Sequence, residues 1–145
     1  MHGTMRAVLV AVVAMLALAT AYQVGRGTSP EEPKPARLFE MRIYTCHPDK
    51  LEALHDRFRD HTNRLFEKHG MEMVGYWTPA DDPKSEHTLV FILAYPSREA
   101  REAAWKAFRD DPEWQAAFEA SHADGPIVAE AESFFLVPTD YSPIR

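Results

Sequence analysis

Glu40, Arg42 and Tyr44 occupy alternate positions of the segment 38–45, and Glu130 and Glu132 do the same near the C-terminus. Alternation at period two puts such residues on one face of a strand. If the first and last strands pair, all five share that face, and two chemistries follow. One is an ionic network in which every buried charge is held by a neighbour. The other is a site for a polar or anionic ligand, with Arg42 offering the planar fork that suits an oxyanion. Tyr76 and Trp77 are adjacent, so one ring enters the core and the other meets the barrel face or solvent. Either ring serves as packing or as an aromatic wall for an apolar ligand. Trp105 stands off the alanine stripe of its helix, where it packs on the next helix or lines a cleft or subunit seam. Arg42, Tyr44, His61, Tyr76, Trp77 and Trp105 are the candidate ligand-binding residues. No residue pattern assigns a catalytic group.

The seven histidines do not form a metal motif. His55 and His61 stand about 120° apart around a helix and cannot share an ion. His69 falls at a helix end, where a histidine complements the dipole and bonds terminal carbonyls. Neither H-x-x-x-H nor H-E-x-x-H occurs, and the single cysteine, Cys46, excludes an internal disulfide and a Cys-based zinc site. A P-loop, a dinucleotide fingerprint and a nucleophile elbow are all missing. No metal and no cofactor is expected.

These residues need elements to position them. The segment 38–45 reads as a strand, with Phe39, Met41 and Ile43 opposite Glu40, Arg42 and Tyr44. Pro48 then stands at an N-terminal helix position, where its missing N–H costs nothing. Over 49–69, Leu51, Leu54, Phe58, Leu65 and Phe66 form one stripe, with Arg57, Asp60, Arg64 and Glu67 opposite, and Gly70 stops the helix. A second strand is expected over 71–79. The near-continuous apolar run 88–95 is a third strand, covered on both faces. Ser97 caps a helix whose buried stripe is Ala100, Ala104, Ala107 and Phe108. Asp111-Pro112 opens a short helix with Trp114, Ala117, Phe118 and Ser121 on one face, and 128–137 is the last strand.

The order strand, helix, strand, strand, helix, strand gives an α+β ferredoxin-like sandwich. It has a four-stranded antiparallel sheet, helices on one face, and the first and third strands in the centre. With Glu40, Arg42 and Tyr44 turned away from the helices, the free face mixes charge with apolar surface. A second copy packed against it would make a barrel between two subunits, burying about 1,500 Å² or more.

The chain has 145 residues, 46% of them apolar and 26% charged, and a formal charge of −6. That fits one globular domain and argues against nucleic acid and anionic membranes as partners. The uncharged run 7–22 ends in Ala19-Thr20-Ala21, so residues 1–21 read as a signal peptide, or alternatively as an uncleaved membrane anchor over 7–24. Residues 22–36 are a proline-rich, disordered linker. The folded domain is expected over 37–145, exported to the periplasm or beyond, with the N-terminal segment as its one route to a membrane.

Four strings carry a resemblance. They are His61-Thr62-Asn63-Arg64-Leu65-Phe66-Glu67-Lys68-His69-Gly70-Met71, Gly75-Tyr76-Trp77-Thr78-Pro79, Tyr95-Pro96-Ser97-Arg98-Glu99 and Phe108-Arg109-Asp110-Asp111-Pro112-Glu113-Trp114. In this order they resemble the NIPSNAP family, across the whole domain. The resemblance implies a dimeric α/β barrel and no settled activity. Some better-known members carry two such domains and a mitochondrial presequence, so mitochondrial roles do not transfer to this chain.

Two functions are expected to compete. The first is an exported homodimer that binds a small ligand or a protein partner. The alternative is an enzyme like the cofactor-independent monooxygenases, which share the barrel by fold analogy and would need an apolar pocket between helices and sheet. The deciding feature is whether Phe58, Phe66, Phe91, Phe108 and Trp114 fill the space behind the first helix or leave a cavity there.

Overall fold

The computed structural model describes residues 37–145. The expected export signal and the proline-rich linker lie outside the described residues. Strand β1 is Leu38–Cys46. Helix α1 (51–68) joins two α-helical segments, Leu51–Arg57 and Asn63–Lys68, through a π-helical turn at Phe58–Thr62. Strands β2 (Glu72–Trp77) and β3 (Thr88–Tyr95) follow, then helices α2 (Arg98–Asp110) and α3 (Pro112–Ser121), and strand β4 (Val128–Leu136).

The sheet has the order β2-β3-β1-β4 with every neighbouring pair antiparallel. The fold is the expected α+β, ferredoxin-like one, and β1 and β3 are central. Local chemistry sets the helix ends. Ser97 Oγ accepts from the Ala100 amide at 3.2 Å, and Asp111 Oδ1 accepts from the Glu113 amide at 2.9 Å. Each such cap contributes about 1 kcal/mol. Gly70 ends α1 with φ of 74°, a left-handed conformation that favours glycine. In α1 the Thr62 hydroxyl donates to the Arg57 carbonyl at 3.1 Å. That bond occupies an oxygen at the edge of the π turn, where the regular helical ladder is interrupted.

The core lies between the sheet and the helices. Leu54, Phe58, Leu65 and Phe66 of α1 meet Leu89, Phe91, Leu93 and Tyr95 of β3 and Ala104, Trp105 and Phe108 of α2. The register decides which face of β1 joins them. Glu40 pairs with Leu93, Arg42 with Phe91 and Tyr44 with Leu89, all buried core positions. Glu40, Arg42 and Tyr44 thus turn toward the helical layer, and the expectation that they face away is corrected. The physical reason is on α2: Arg101 and Trp105 supply partners that make burial of Glu40 favourable. Glu130 and Glu132 pair with Thr45 and Ile43 and lie on the opposite face, so the five-residue polar cluster does not exist.

The outer face is apolar over β1 and β3 and carries Glu130 and Glu132 on β4. It carries Phe39, Met41 and Ile43 of β1, Val90 and Ile92 of β3, Phe134 and Leu136 of β4, and Trp77 of β2. Trp77 is 51% exposed and Phe134 45%. The Trp77 indole folds back over Gly75, where a Cβ would come within 2.7 Å of the ring. Glycine is required there for that close approach.

Candidate functional site

Two clusters of polar side chains lie inside the aromatic layer between sheet and helices. The first centres on Glu40, which is fully buried. Arg101 of α2 grips its carboxylate side-on, donating from Nε at 2.9 Å and from Nη2 at 2.6 Å. Arg42 donates from Nη1 at 2.7 Å. The Tyr95 hydroxyl donates at 3.2 Å, and Trp105 Nε1 donates at 3.0 Å to the carboxylate and at 2.9 Å to the Tyr95 oxygen. The Arg42 guanidinium also lies 4.5 Å from the Trp105 ring centroid. Burial alone would raise the Glu40 carboxyl, but the two arginines outweigh it and hold the group below its ordinary value. Tyr95 is pushed well up, by burial first and by the Glu40 charge second. No buried side-chain polar atom of this cluster lacks a partner, which is the condition under which a buried charge is tolerated.

The second cluster centres on Arg57 of α1. The amphipathic pattern sets Arg57 opposite the apolar stripe, yet it is buried, with 6% exposure. The cause is α3, whose Trp114 and Phe118 rings lie 5.4 Å and 5.5 Å from the Arg57 guanidinium carbon and cover this flank of α1. Arg57 Nη1 donates to Ser121 Oγ at 3.2 Å. Its Nε has no hydrogen-bond partner and the side chain joins no ion pair among the described residues. Burial works against its charge, with the neighbouring Tyr44 and Cys46 only partly offsetting that. A buried cation without an anion is costly, so this arrangement differs in kind from the Glu40 cluster.

A cavity of about 180 Å³ opens beside Arg57. Phe58, Phe66, Phe108 and Trp114 line it and do not fill it, and Tyr44 and Trp105 complete its wall. It shares Tyr44, Trp105, Phe108, Trp114 and Phe118 with an adjoining cleft of about 570 Å³, whose rim carries Arg42, Arg101 and Arg109. Among the described residues no acidic side chain lines either space. The arrangement can hold a flat apolar body between aromatic rings while presenting fixed N–H donors.

A separate hollow of about 310 Å³ lies between α1 and β2, lined by His55, Asn63, Tyr76 and Trp77 among others. Tyr76 Oη and Asn63 Oδ1 are buried without a hydrogen-bond partner among the described residues. Burial pushes the Tyr76 phenol up to about 12.

Of the sequence-derived candidates, Arg42, Tyr44 and Trp105 come together at the α2–α3 cleft. Tyr76 and Trp77 line the α1–β2 hollow. His61 is exposed on the outer side of α1 and lines none of these spaces. Trp105 is 6% exposed and belongs to the buried stripe of α2, not beside it, while Ala107 is exposed. His69 locks the end of α1, with Nε2 2.7 Å from Asp111 Oδ2. Asp111 also receives Lys68 and the Glu113 amide, which together hold its carboxyl far below the usual range. No group of three or more potential metal-ligating side chains occurs among the described residues. Arg57, Arg101, Tyr95 and Asn63 were not legible as site residues. The expectation that Arg57 stands opposite the stripe is corrected: at 100° per residue it lies about 60° from Leu54, at the margin of the stripe, and that was the one available sign.

The family model described as NIPSNAP matches residues 39–143. Among solved structures, an uncharacterized NIPSNAP domain protein from Burkholderia xenovorans is 27% identical, with a TM-score of 0.63 over 73% of this chain and 98% of its own. A NIPSNAP family protein of unknown function from Agrobacterium tumefaciens is 22% identical, with a TM-score of 0.66 over 77% of this chain and 96% of its own. SnoaB, a cofactor-independent oxygenase from Streptomyces nogalater, is 15% identical, with a TM-score of 0.52 over 74% of this chain and 98% of its own. That last likeness is one of fold alone. No curated protein matches the chain.

Proposed function

The chain belongs to the NIPSNAP family, and we propose that this member is an exported homodimer that takes up a small, largely apolar molecule between its sheet and its second and third helices. The carrying observation is the 180 Å³ cavity beside Arg57, with an aromatic wall and an adjoining cleft. Bulky side chains ring this space without closing it. A protein needing only a core would gain stability by filling it, since an unfilled cavity forfeits packing. Export rests on the uncharged run 7–22 with its small-residue end.

Dimerisation rests on the outer face of the sheet. A contiguous apolar surface of this kind is costly in water. Two copies packed sheet to sheet would bury about 1,500 Å² or more, enough for a stable pair. Met41, Ile43, Val90, Ile92 and Phe134 need no ionic partner when covered, and Glu130 and Glu132 on the same face would sit at the edge of the pair or meet a cation there. Native mass spectrometry of protein purified from its own host tests both parts. The expected spectrum is a dimer carrying a small-molecule adduct. A bare monomer would overturn the proposal.

A second reading, a cofactor-independent oxygenase, is favoured by the α1–β2 hollow. There Tyr76 Oη and Asn63 Oδ1 lack partners among the described residues and can act on a bound hydroxyl or amine. Oxygen uptake on adding back the retained molecule separates the readings: binding alone expects none.

A further inference from the structure

We propose that the molecule held in this cavity is an anion, a carboxylate on an aromatic or similarly flat apolar frame, with Arg57 as its anchor. The inference rests on the cavity reading above and adds the chemistry of the ligand. Arg57 is 94% buried by its 6% exposure, lines the cavity, and keeps a free Nε among the described residues. Ser121 takes one of its donors, and among the described residues no carboxylate takes the others. A guanidinium presents paired N–H groups in a plane, the geometry that a carboxylate meets with two oxygens.

The surroundings argue the same way. Glu40, the one fully buried acid among the described residues, is already occupied by Arg101 and Arg42, so it cannot serve Arg57. Arg42, Arg101 and Arg109 line the cleft and outnumber the one carboxylate, Glu40, that Arg42 and Arg101 share, so the approach keeps a net positive charge. This occurs on a chain whose formal charge is −6, so the basic character is local and not a reflection of composition. Positive potential along an aromatic channel draws in and orients an organic anion, carboxylate first. Trp114 and Phe118 already pack against the Arg57 guanidinium, and Trp105 and Tyr44 line the same cavity, where a flat frame would meet them. A phosphate-bearing ligand fits less well, because only Arg57 of the four arginines lines the cavity itself.

Calorimetric titration of the purified protein with phenylacetate and with phenylacetamide tests the assignment. The pair has the same frame and differs in charge. The acid should bind about tenfold to a hundredfold more tightly than the amide, the worth of a charge-assisted pair of hydrogen bonds. Arg57→Gln should erase that preference while leaving the weak binding of the amide, and Arg57→Lys should keep part of it. Equal binding of acid and amide, or a preference that survives Arg57→Gln, overturns the anchor but leaves the cavity reading standing. Binding of neither probe overturns both. If Arg57→Gln does not fold, the Arg57 Nε–H resonance of the wild type carries the test. It should shift with the acid and not with the amide, and a resonance unmoved by saturating acid overturns the anchor.

Discussion

Two buried charges, the Glu40 carboxylate and the Arg57 guanidinium, share one aromatic layer. At Glu40 the cations come in from β1 and α2, and the carboxylate, the phenol of Tyr95 and the indole of Trp105 close around each other. At Arg57 the cation stands on α1, cushioned by Trp114 and Phe118, with one hydroxyl and, among the described residues, no acid. The first is finished chemistry and holds β1 to α2. The second is unfinished and faces a cavity. Buried charge alone therefore does not mark a binding site; what marks one is a charge whose partner must come from elsewhere.

The largest effect should come from breaking the finished side. Glu40→Gln leaves Arg101 and Arg42 without their anion and should lower unfolding stability by about 3–5 kcal/mol, read from denaturant midpoints. A loss under about 1 kcal/mol would mean that water already serves these arginines. The same carboxyl gives a pH signature. Its folded pKa lies below the ordinary 4.5 because the arginines outweigh burial. Its contribution is thus complete above that value and declines as pH falls from about 4.5 through the lower folded pKa. Glu40→Gln should flatten that part of the acid limb.

A smaller effect is expected at Trp105. Trp105→Phe keeps most of the ring but removes the Nε1 donor shared by Glu40 and Tyr95, and should cost about 1–3 kcal/mol. The smallest is expected on the unfinished side. Arg57→Met removes a buried cation that no acid balances, so stability should stay within about 1 kcal/mol of wild type or rise. A loss as large as that of Glu40→Gln would erase the contrast and make Arg57 a structural residue.

The elements were legible because each carried its own local signal. Period two marked β1, the apolar run marked β3, and the Ser97 and Asp111 caps marked α2 and α3. Which face of β1 joins the core was not legible from β1 itself. Its two sides are Phe39, Met41, Ile43 and Glu40, Arg42, Tyr44, and intuition sends the charges outward. The choice was made by Arg101 and Trp105, more than sixty residues away, as the Glu40 contacts record. Arg57 was hidden for a similar reason. A helical wheel knows one partner surface, the sheet, and α3 supplies a second that covers the margin. The π turn that interrupts α1 leaves no trace in the apolar spacing.

Diffraction from crystals soaked in phenylacetate tests the contrast most directly. The account predicts the carboxylate within hydrogen-bonding range of the Arg57 guanidinium, about 2.7–2.9 Å, its ring among Tyr44, Trp105 and Trp114, and the Glu40 contacts unchanged. A carboxylate found instead on Arg42 and Arg101, with Glu40 displaced and Arg57 still unpaired, would contradict it.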